Sequence, residues 1–180
     1  MMKRNVCALT VLTALALVLG VAQAQVQPVQ YSYSGTSVPT AIDSNGDGIL
    51  AGEVLASANG TGGKLTFRAL EELGAPIGPT ARCPAPLVEF PHRTAVSTAT
   101  TEDGSMYFER LVAGHLCVNT STGAFSFEIT YEIFGGTGRF EGATGSIATK
   151  GTGRIIFAVP GKALYSVLAG TSTGSIAKPN

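Results

Sequence analysis

Apolar and polar side chains alternate most regularly along residues 125–133. Five large apolar residues lie two positions apart there: Phe125, Phe127, Ile129, Tyr131 and Ile133. Successive side chains of a β-strand point to opposite faces, so these five share one face. The other face carries Ser126, Glu128, Thr130 and Glu132. The alternation therefore predicts a strand with one buried face and one polar face.

Comparable segments recur along the chain at intervals of about ten residues, with turns rich in Gly, Asn, Asp and Pro between them. No long window has the apolar spacing of a helix. The predicted strands cover residues 30–36, 64–73, 87–100, 105–112, 125–133, 140–149, 154–159 and 163–168, with a short further strand beginning at Cys117. Antiparallel hairpins join neighbouring strands. This pattern predicts an all-β domain over residues 30–169, either a sandwich or a closed barrel.

The segments on either side of this domain have a different composition. Residues 25–29 contain a proline and two glutamines, which predicts a flexible arm. Residues 170–180 are rich in Gly, Ser and Thr, which predicts a flexible tail. Residues 170–174, GTSTG, match the pattern around the nucleophilic serine of some hydrolases. No His or Asp follows them, so a chance match is the favoured interpretation.

Residues 1–24 have the features of an export signal. Lys3 and Arg4 supply positive charge before the apolar run 6–21, and Ala22-Gln23-Ala24 offers the small residues that a signal peptidase requires. The apolar run has about 16 residues, fewer than the ~20 that span a bilayer. We therefore expect cleavage after Ala24, no retained membrane anchor, and a periplasmic or extracellular location.

The exported portion, residues 25–180, carries little net charge. It holds 10 basic and 12 acidic side chains, because Lys3 and Arg4 belong to the signal. The basic residues form no cluster in the sequence, so nucleic-acid binding has little electrostatic support and is not expected. Its length of about 156 residues suffices for one domain with a substantial core.

Two cysteines, Cys83 and Cys117, remain after removal of the signal. Thiols oxidise outside the cytoplasm, so an even pair there predicts a disulfide. The bridge would close a loop of about 34 residues, for which loop entropy gives a stabilisation of roughly 3–4 kcal/mol. A catalytic thiol is the alternative, but neither cysteine has a convincing base beside it in the sequence.

Residues 135–145, GGTGRFEGATG, carry a resemblance to a known family. They resemble the glycine-rich strand–turn–strand of allene oxide cyclase and dirigent barrels, and most closely that of small exported bacterial proteins described as allene oxide cyclase barrel-like. The similarity covers about 25 residues, with looser agreement at Cys117, Asn119, Thr122 and Gly123. It implies a single antiparallel eight-stranded barrel of calycin type. It implies no catalytic residue here, because the plant cyclase's catalytic positions do not align with this chain.

A second motif suggests a metal. Asp43, Asn45 and Asp47 occupy the first, third and fifth positions of a calcium loop, and the carbonyl of Ile49 falls at the seventh. The twelfth position is Val54 rather than a carboxylate. An Asx-rich turn is therefore the favoured interpretation, and weak calcium binding is the alternative. No other cofactor is expected.

The side chains of Glu128 and Glu132 lie about 13 Å apart along one strand face, too far for paired glycosidase carboxylates. If the polar face of this strand lines the barrel, they form a cavity with Glu89 and Tyr107. If the aromatic face lines it, they are solvated and Tyr131 points inward, which is the favoured alternative. The two histidines, His92 and His115, lack the spacing of zinc ligands.

These observations favour a non-enzymatic exported barrel that binds a small apolar molecule or acts as an accessory protein at the cell surface. Its aromatic residues would build the core or line a cavity, namely Phe125, Phe127, Tyr131, Phe140 and Phe157. One alternative is a cyclase or isomerase that folds an apolar substrate into a reactive shape and needs few polar groups. Another is a calcium-assisted interaction module. A homo-oligomer is compatible with each of the three.

Overall fold

The computed structural model describes residues 25–43, 46, 48–157 and 165–179. It is a closed barrel of eight antiparallel strands, in which each strand pairs with the next and the last pairs with the first. The strands are β1 (Gln25–Pro39), β2 (Gly52–Gly60), β3 (Gly63–Leu73), β4 (Leu87–Thr101), β5 (Met106–Asn119), β6 (Ala124–Thr137), β7 (Thr144–Phe157) and β8 (Tyr165–Lys178). The eight-stranded antiparallel barrel is thus confirmed. The expected signal peptide, residues 1–24, lies outside the described residues.

Several strand boundaries differ from those predicted. Strand β2 was not predicted, because its small side chains give only a weak alternation. Residues 105–112 and the segment from Cys117 form one long strand, β5, whose register with β6 shifts after Phe108 and after Leu111. Such shifts bend a strand and increase its twist, which helps a sheet to close on itself.

The predictions of a flexible arm at 25–29 and a flexible tail at 170–180 differ from the structure. Gln25 pairs with Lys178, and Val29 pairs with Gly174, so both segments belong to the seam between β1 and β8. These segments form strands despite their polar composition, because strand pairing uses backbone hydrogen bonds and is compatible with polar side chains on the outer face. Neither segment has a pairing strand close to it in the sequence. Each one gains its partner strand only when the barrel closes.

The aromatic face of β6 points into the barrel, where glycines of the next strand make room for it. Phe125, Phe127 and Tyr131 are buried, whereas Ser126 and Glu128 are exposed. A Cβ atom on Gly153 would collide with the ring of Phe125 and with a backbone oxygen of β8. The absent side chains of β7 therefore leave the space that the rings of β6 occupy.

One end of the barrel is closed by packed side chains. We call it the closed end; the turns 61–62, 102–105 and 138–143 lie there. Tyr107 and Phe140 meet there edge to face, with ring centroids 5.2 Å apart. The other large residues of this layer are also buried: Tyr31, Leu65, Ile147 and Ile176. The opposite end, which carries the described residues of the segments 40–43 and 48–51 together with 74–86 and 120–123, is called the open end.

Outside the wall, the predicted disulfide between Cys83 and Cys117 is present, with the two Cα atoms 5.4 Å apart. It fastens the segment 74–86 to β5 at the open end. The described residues contain no helix with the length and apolar content needed to cross a bilayer.

The contact between β6 and β7 generates a testable prediction. We expect Gly153→Ala to lower the free energy of unfolding by about 1–3 kcal/mol. The added methyl group would lie too close to a backbone oxygen of β8, which cannot rotate away as a flexible side chain can. Urea denaturation followed by circular dichroism measures the effect. Thr152→Ala, on the exposed face of the same strand, is the matched control. Equal stability of Gly153→Ala and the control would contradict this packing.

Candidate functional site

The barrel interior contains a cavity of about 390 Å³ between the closed end and the open end. This volume lies within the range of about 300–1,000 Å³ that is usual for small-molecule sites. The cavity reaches the segments 48–50 and 74–76, so it opens between these two loops. Its wall is largely apolar and includes Phe67, Leu73, Phe90, Leu116, Ile129 and Leu168. The interior is thus able to hold an apolar molecule.

A group of polar residues interrupts this apolar wall. The hydroxyl of Tyr131 donates a hydrogen bond of 2.9 Å to Oε1 of Glu71. Nε2 of His92 lies 3.5 Å from Oε2 of the same carboxylate. Strands β3, β4 and β6 therefore each supply one member of a Glu71–His92–Tyr131 cluster. All three side chains line the cavity.

Burial governs the chemistry of this cluster. It raises the pKa of the Tyr131 hydroxyl well above its usual value, and the neighbouring Glu71 carboxylate raises it further. Burial, with a smaller contribution from Glu71, also raises the pKa of Tyr33, whose hydroxyl lies 3.4 Å from the carbonyl oxygen of Lys150. Both tyrosines therefore stay protonated at neutral pH and act as hydrogen-bond donors.

Glu109 supplies a second carboxyl group to the cavity wall. Its residue exposure is 2%, and burial raises its pKa to about 7, although a hydrogen bond from Ser97 acts in the opposite direction. Among the described residues, none forms a hydrogen bond with its Oε1 atom. A carboxyl group of this kind is able to hold or release a proton near neutral pH.

The predicted cavity residues lie in three different places. Tyr131 lines the cavity, and Tyr107 is buried in the closed end, where its hydroxyl has no hydrogen-bond partner among the described residues. Glu128 is exposed, and Glu132 forms an ion pair with Arg110 on the outer surface. The assignment of Glu128 and Glu132 to a cavity is therefore wrong, because the aromatic face of β6 points inward.

Glu89 is buried, but outside the barrel. Its carboxylate accepts hydrogen bonds from Thr80 and, at 2.6 Å, from Nη2 of Arg82. Both donors belong to the segment 74–86, which covers Glu89 on the outer face of β4. Glu89 thus holds this segment at the rim of the open end and does not line the cavity.

The aromatic residues divide in a similar way. Phe125 and Phe127 line the cavity, and Phe140 is buried at the closed end. Phe157 belongs to neither group, since it is 59% exposed and its ring lies beside that of Tyr165 on the outer surface, at 5.9 Å between ring centroids. Its place in the core or cavity was predicted wrongly. Ile155, two residues earlier, lines the cavity, but the register of β7 with β8 shifts between Ile155 and Phe157, so the alternation breaks and the ring of Phe157 lies outside.

The calcium motif is described only in part. Asp43 accepts backbone hydrogen bonds from Gly46, at 2.7 Å, and from Gly48, at 2.9 Å. These contacts are those of an Asx-rich turn. Asn45 and Asp47 lie outside the described residues, and Ile49 borders the cavity. Calcium binding at this loop stays a prediction.

Two other candidate groups are used structurally. Ser172, in the GTSTG motif, is buried in β8 and exchanges a 2.8 Å hydrogen bond with Thr149. Cys83, His115 and Cys117 place ligand atoms within 4.8 Å of one another, but the disulfide consumes both thiols.

Sequence reasoning missed Glu71, His92 and Glu109. A signal for two of them was present: Glu71 follows Leu65, Phe67 and Ala69 at even spacing, and Glu109 lies two residues after Tyr107. Strict alternation would have placed both carboxylates on the inward faces of β3 and β5. For His92 no such signal existed, because the register of β4 with β3 shifts nearby.

Comparison with protein-family models, with curated proteins and with solved structures gave no significant match.

The burial of Glu109 predicts how stability depends on pH. Its folded pKa of about 7 exceeds the ordinary value of 4.5, so the folded state binds this proton more tightly than the unfolded state does. The contribution of Glu109 to stability should therefore fall as pH rises from about 4.5 through 7. Between pH 5 and pH 8 the expected decrease is about 2–3 kcal/mol.

Urea denaturation at a series of pH values measures this decrease. Glu109→Gln should remove most of it and should be more stable than the original protein at pH 8. Glu128→Gln, which changes an exposed carboxylate on the next strand, is the control and should leave the pH profile unchanged. Identical pH profiles for Glu109→Gln and the original protein would show that this carboxyl group is not buried as described.

Proposed function

We propose that this protein is exported and binds a small, mainly apolar molecule inside its barrel. The observation that carries the proposal is the cavity of about 390 Å³, which opens between the loops at one end. A barrel whose interior is filled by side chains leaves no such space. Burial of apolar ligand surface against the phenylalanine, leucine and isoleucine side chains of the wall would drive binding.

Export is supported by two independent features. The sequence of residues 1–24 has the charge, apolar run and small residues of a signal peptide. The disulfide between Cys83 and Cys117 is of the kind that persists in oxidising compartments. The distant resemblance of residues 135–145 to exported barrel proteins agrees with this proposal.

Binding can be tested with pyrene, an apolar fluorescent probe that has no hydrogen-bonding group. The purified protein should raise pyrene fluorescence in a saturable manner. Ala56→Phe should weaken this binding at least tenfold, because Ala56 lines the cavity and a phenyl ring would fill part of it. Ala148→Phe makes the same change on the exposed face of β7 and should leave binding intact. Equal affinity of both variants would place the probe outside the barrel and contradict the proposal.

A second candidate function is isomerisation or cyclisation of the bound molecule. Glu109 favours it, because a carboxyl group that titrates near neutral pH inside an apolar cavity is suited to general acid–base catalysis. The apolar wall would hold a flexible substrate in a folded shape. In the simplest step, the Glu109 carboxylate takes a proton from the carbon beside a carbonyl group and returns one to the resulting enol or enolate.

This step is measurable without knowledge of the substrate. In heavy water, the protein should accelerate deuterium incorporation beside the carbonyl group of 2-decanone, as followed by mass spectrometry. Glu109→Gln should slow this incorporation about 100-fold, and Glu128→Gln should not change it. If the protein binds 2-decanone but incorporation matches the buffer rate, binding alone remains as the proposed function.

A further inference from the structure

The chemistry at the deep end of the cavity indicates which class of molecule fits it. Glu109 pairs with Ser97 on one side and with Ile133 on the other. Tyr107, two residues before it on the same face, belongs to the closed end. A molecule that enters from the open end therefore meets Phe90, Phe125 and other apolar residues first, and Glu109 last.

Glu109 presents an acceptor that the protein itself does not use. The residue is 2% exposed, and no described residue donates a hydrogen bond to its Oε1 atom. An unpaired buried polar atom is unfavourable, and most such atoms in native proteins have a partner or a role. A hydrogen-bond donor on the ligand would satisfy this atom.

The charges around the cavity restrict the ligand further. Its wall contains the carboxyl groups of Glu71 and Glu109, and none of the described lining residues is a lysine or an arginine. The imidazole of His92 also lines the wall, but its Nε2 atom already faces the Glu71 carboxylate at 3.5 Å. A ligand carboxylate would therefore lose its hydration there without a free cationic partner, next to two carboxyl groups of the protein. A neutral or cationic donor meets no such penalty.

We propose that the ligand is an apolar molecule with a terminal hydroxyl or amino group, which donates a hydrogen bond to Oε1 of Glu109 at the deep end of the cavity. The inference rests on the proposed binding function and adds the ligand class to it. Fatty acids and other apolar carboxylates are thereby disfavoured. Alcohols and amines share the donor chemistry, and the experiment below distinguishes them.

The test is displacement of pyrene from the full exported chain at pH 7.5 by three ten-carbon molecules: 1-decanol, decylamine and decanoate. Decanol and decylamine should each displace the probe at concentrations at least tenfold lower than decanoate. Glu109→Leu should abolish this preference, because leucine keeps the wall apolar and removes the acceptor. The preference is the ratio of the displacing concentrations measured on the same variant, so a change in the pyrene affinity of that variant does not alter it. Glu128→Leu, on the outer surface, should retain the preference.

Glu109→Gln separates the two donor classes and serves if the leucine variant does not fold. Its side-chain oxygen still accepts a hydrogen bond but carries no charge. Its affinity for decanol should therefore stay within about threefold. Its affinity for decylamine should fall at least tenfold if an ion pair between the ammonium group and the Glu109 carboxylate contributes to binding. Circular dichroism checks that each variant is folded.

The outcomes for the two proposals differ. If pyrene binds but all three molecules displace it equally, or decanoate displaces it best, the inference on ligand class is overturned and the binding function stands. A preference that survives both Glu109→Leu and Glu109→Gln overturns the role of Glu109. If pyrene does not bind and none of the ten-carbon molecules changes the melting temperature, both proposals fail.

Discussion

The packing of aromatic rings from β6 against glycines of β7 is the contact on which the rest of this structure depends. It turns the aromatic face of β6 inward, since the ring of Phe125 occupies the space that a side chain at Gly153 would need. With that face inward, Glu128 and Glu132 are outside, and Tyr131 reaches Glu71 across the barrel. The rings of Phe125 and Phe127 lie where side chains of the neighbouring strand β7 are missing, and both rings also line the cavity.

The lumen has two regions of different chemistry. Near the closed end, Tyr31, Tyr107 and Phe140 are buried and occupy the interior. Above them the wall is mostly apolar, and its polar members are Glu71, His92, Glu109, two tyrosines and several serine and threonine residues. Buried carboxyl groups destabilise a fold unless they are paired or protonated, and Glu109 is neither fully paired nor far from its titration point. Residues of this kind occur preferentially at functional sites.

The outer surface at the open end shows how the rim of the cavity is held. The segment 74–86 contributes Gly74–Pro76 to the cavity wall, although it contains no strand of its own. Its disulfide to Cys117 and its ion pair between Arg82 and buried Glu89 both attach it to the barrel. The disulfide and the ion pair, which lie on the outer face of the barrel, therefore hold in place the residues 74–76 that line the cavity.

The sequence alone determined the all-β class, the antiparallel order of the strands and the pairing of Cys83 with Cys117, because alternation, turn residues and an even cysteine count are local signals. It also favoured the inward direction of Tyr131. It did not identify the strand character of residues 25–29 and 170–178, because those residues are held by partners about 150 positions away in the chain. Nor did it join Glu71, His92 and Tyr131 into one site. Only the closed tertiary structure decides which inward side chains meet. Their contact depends on the register and curvature of several paired strands, and the sequence of one segment determines neither.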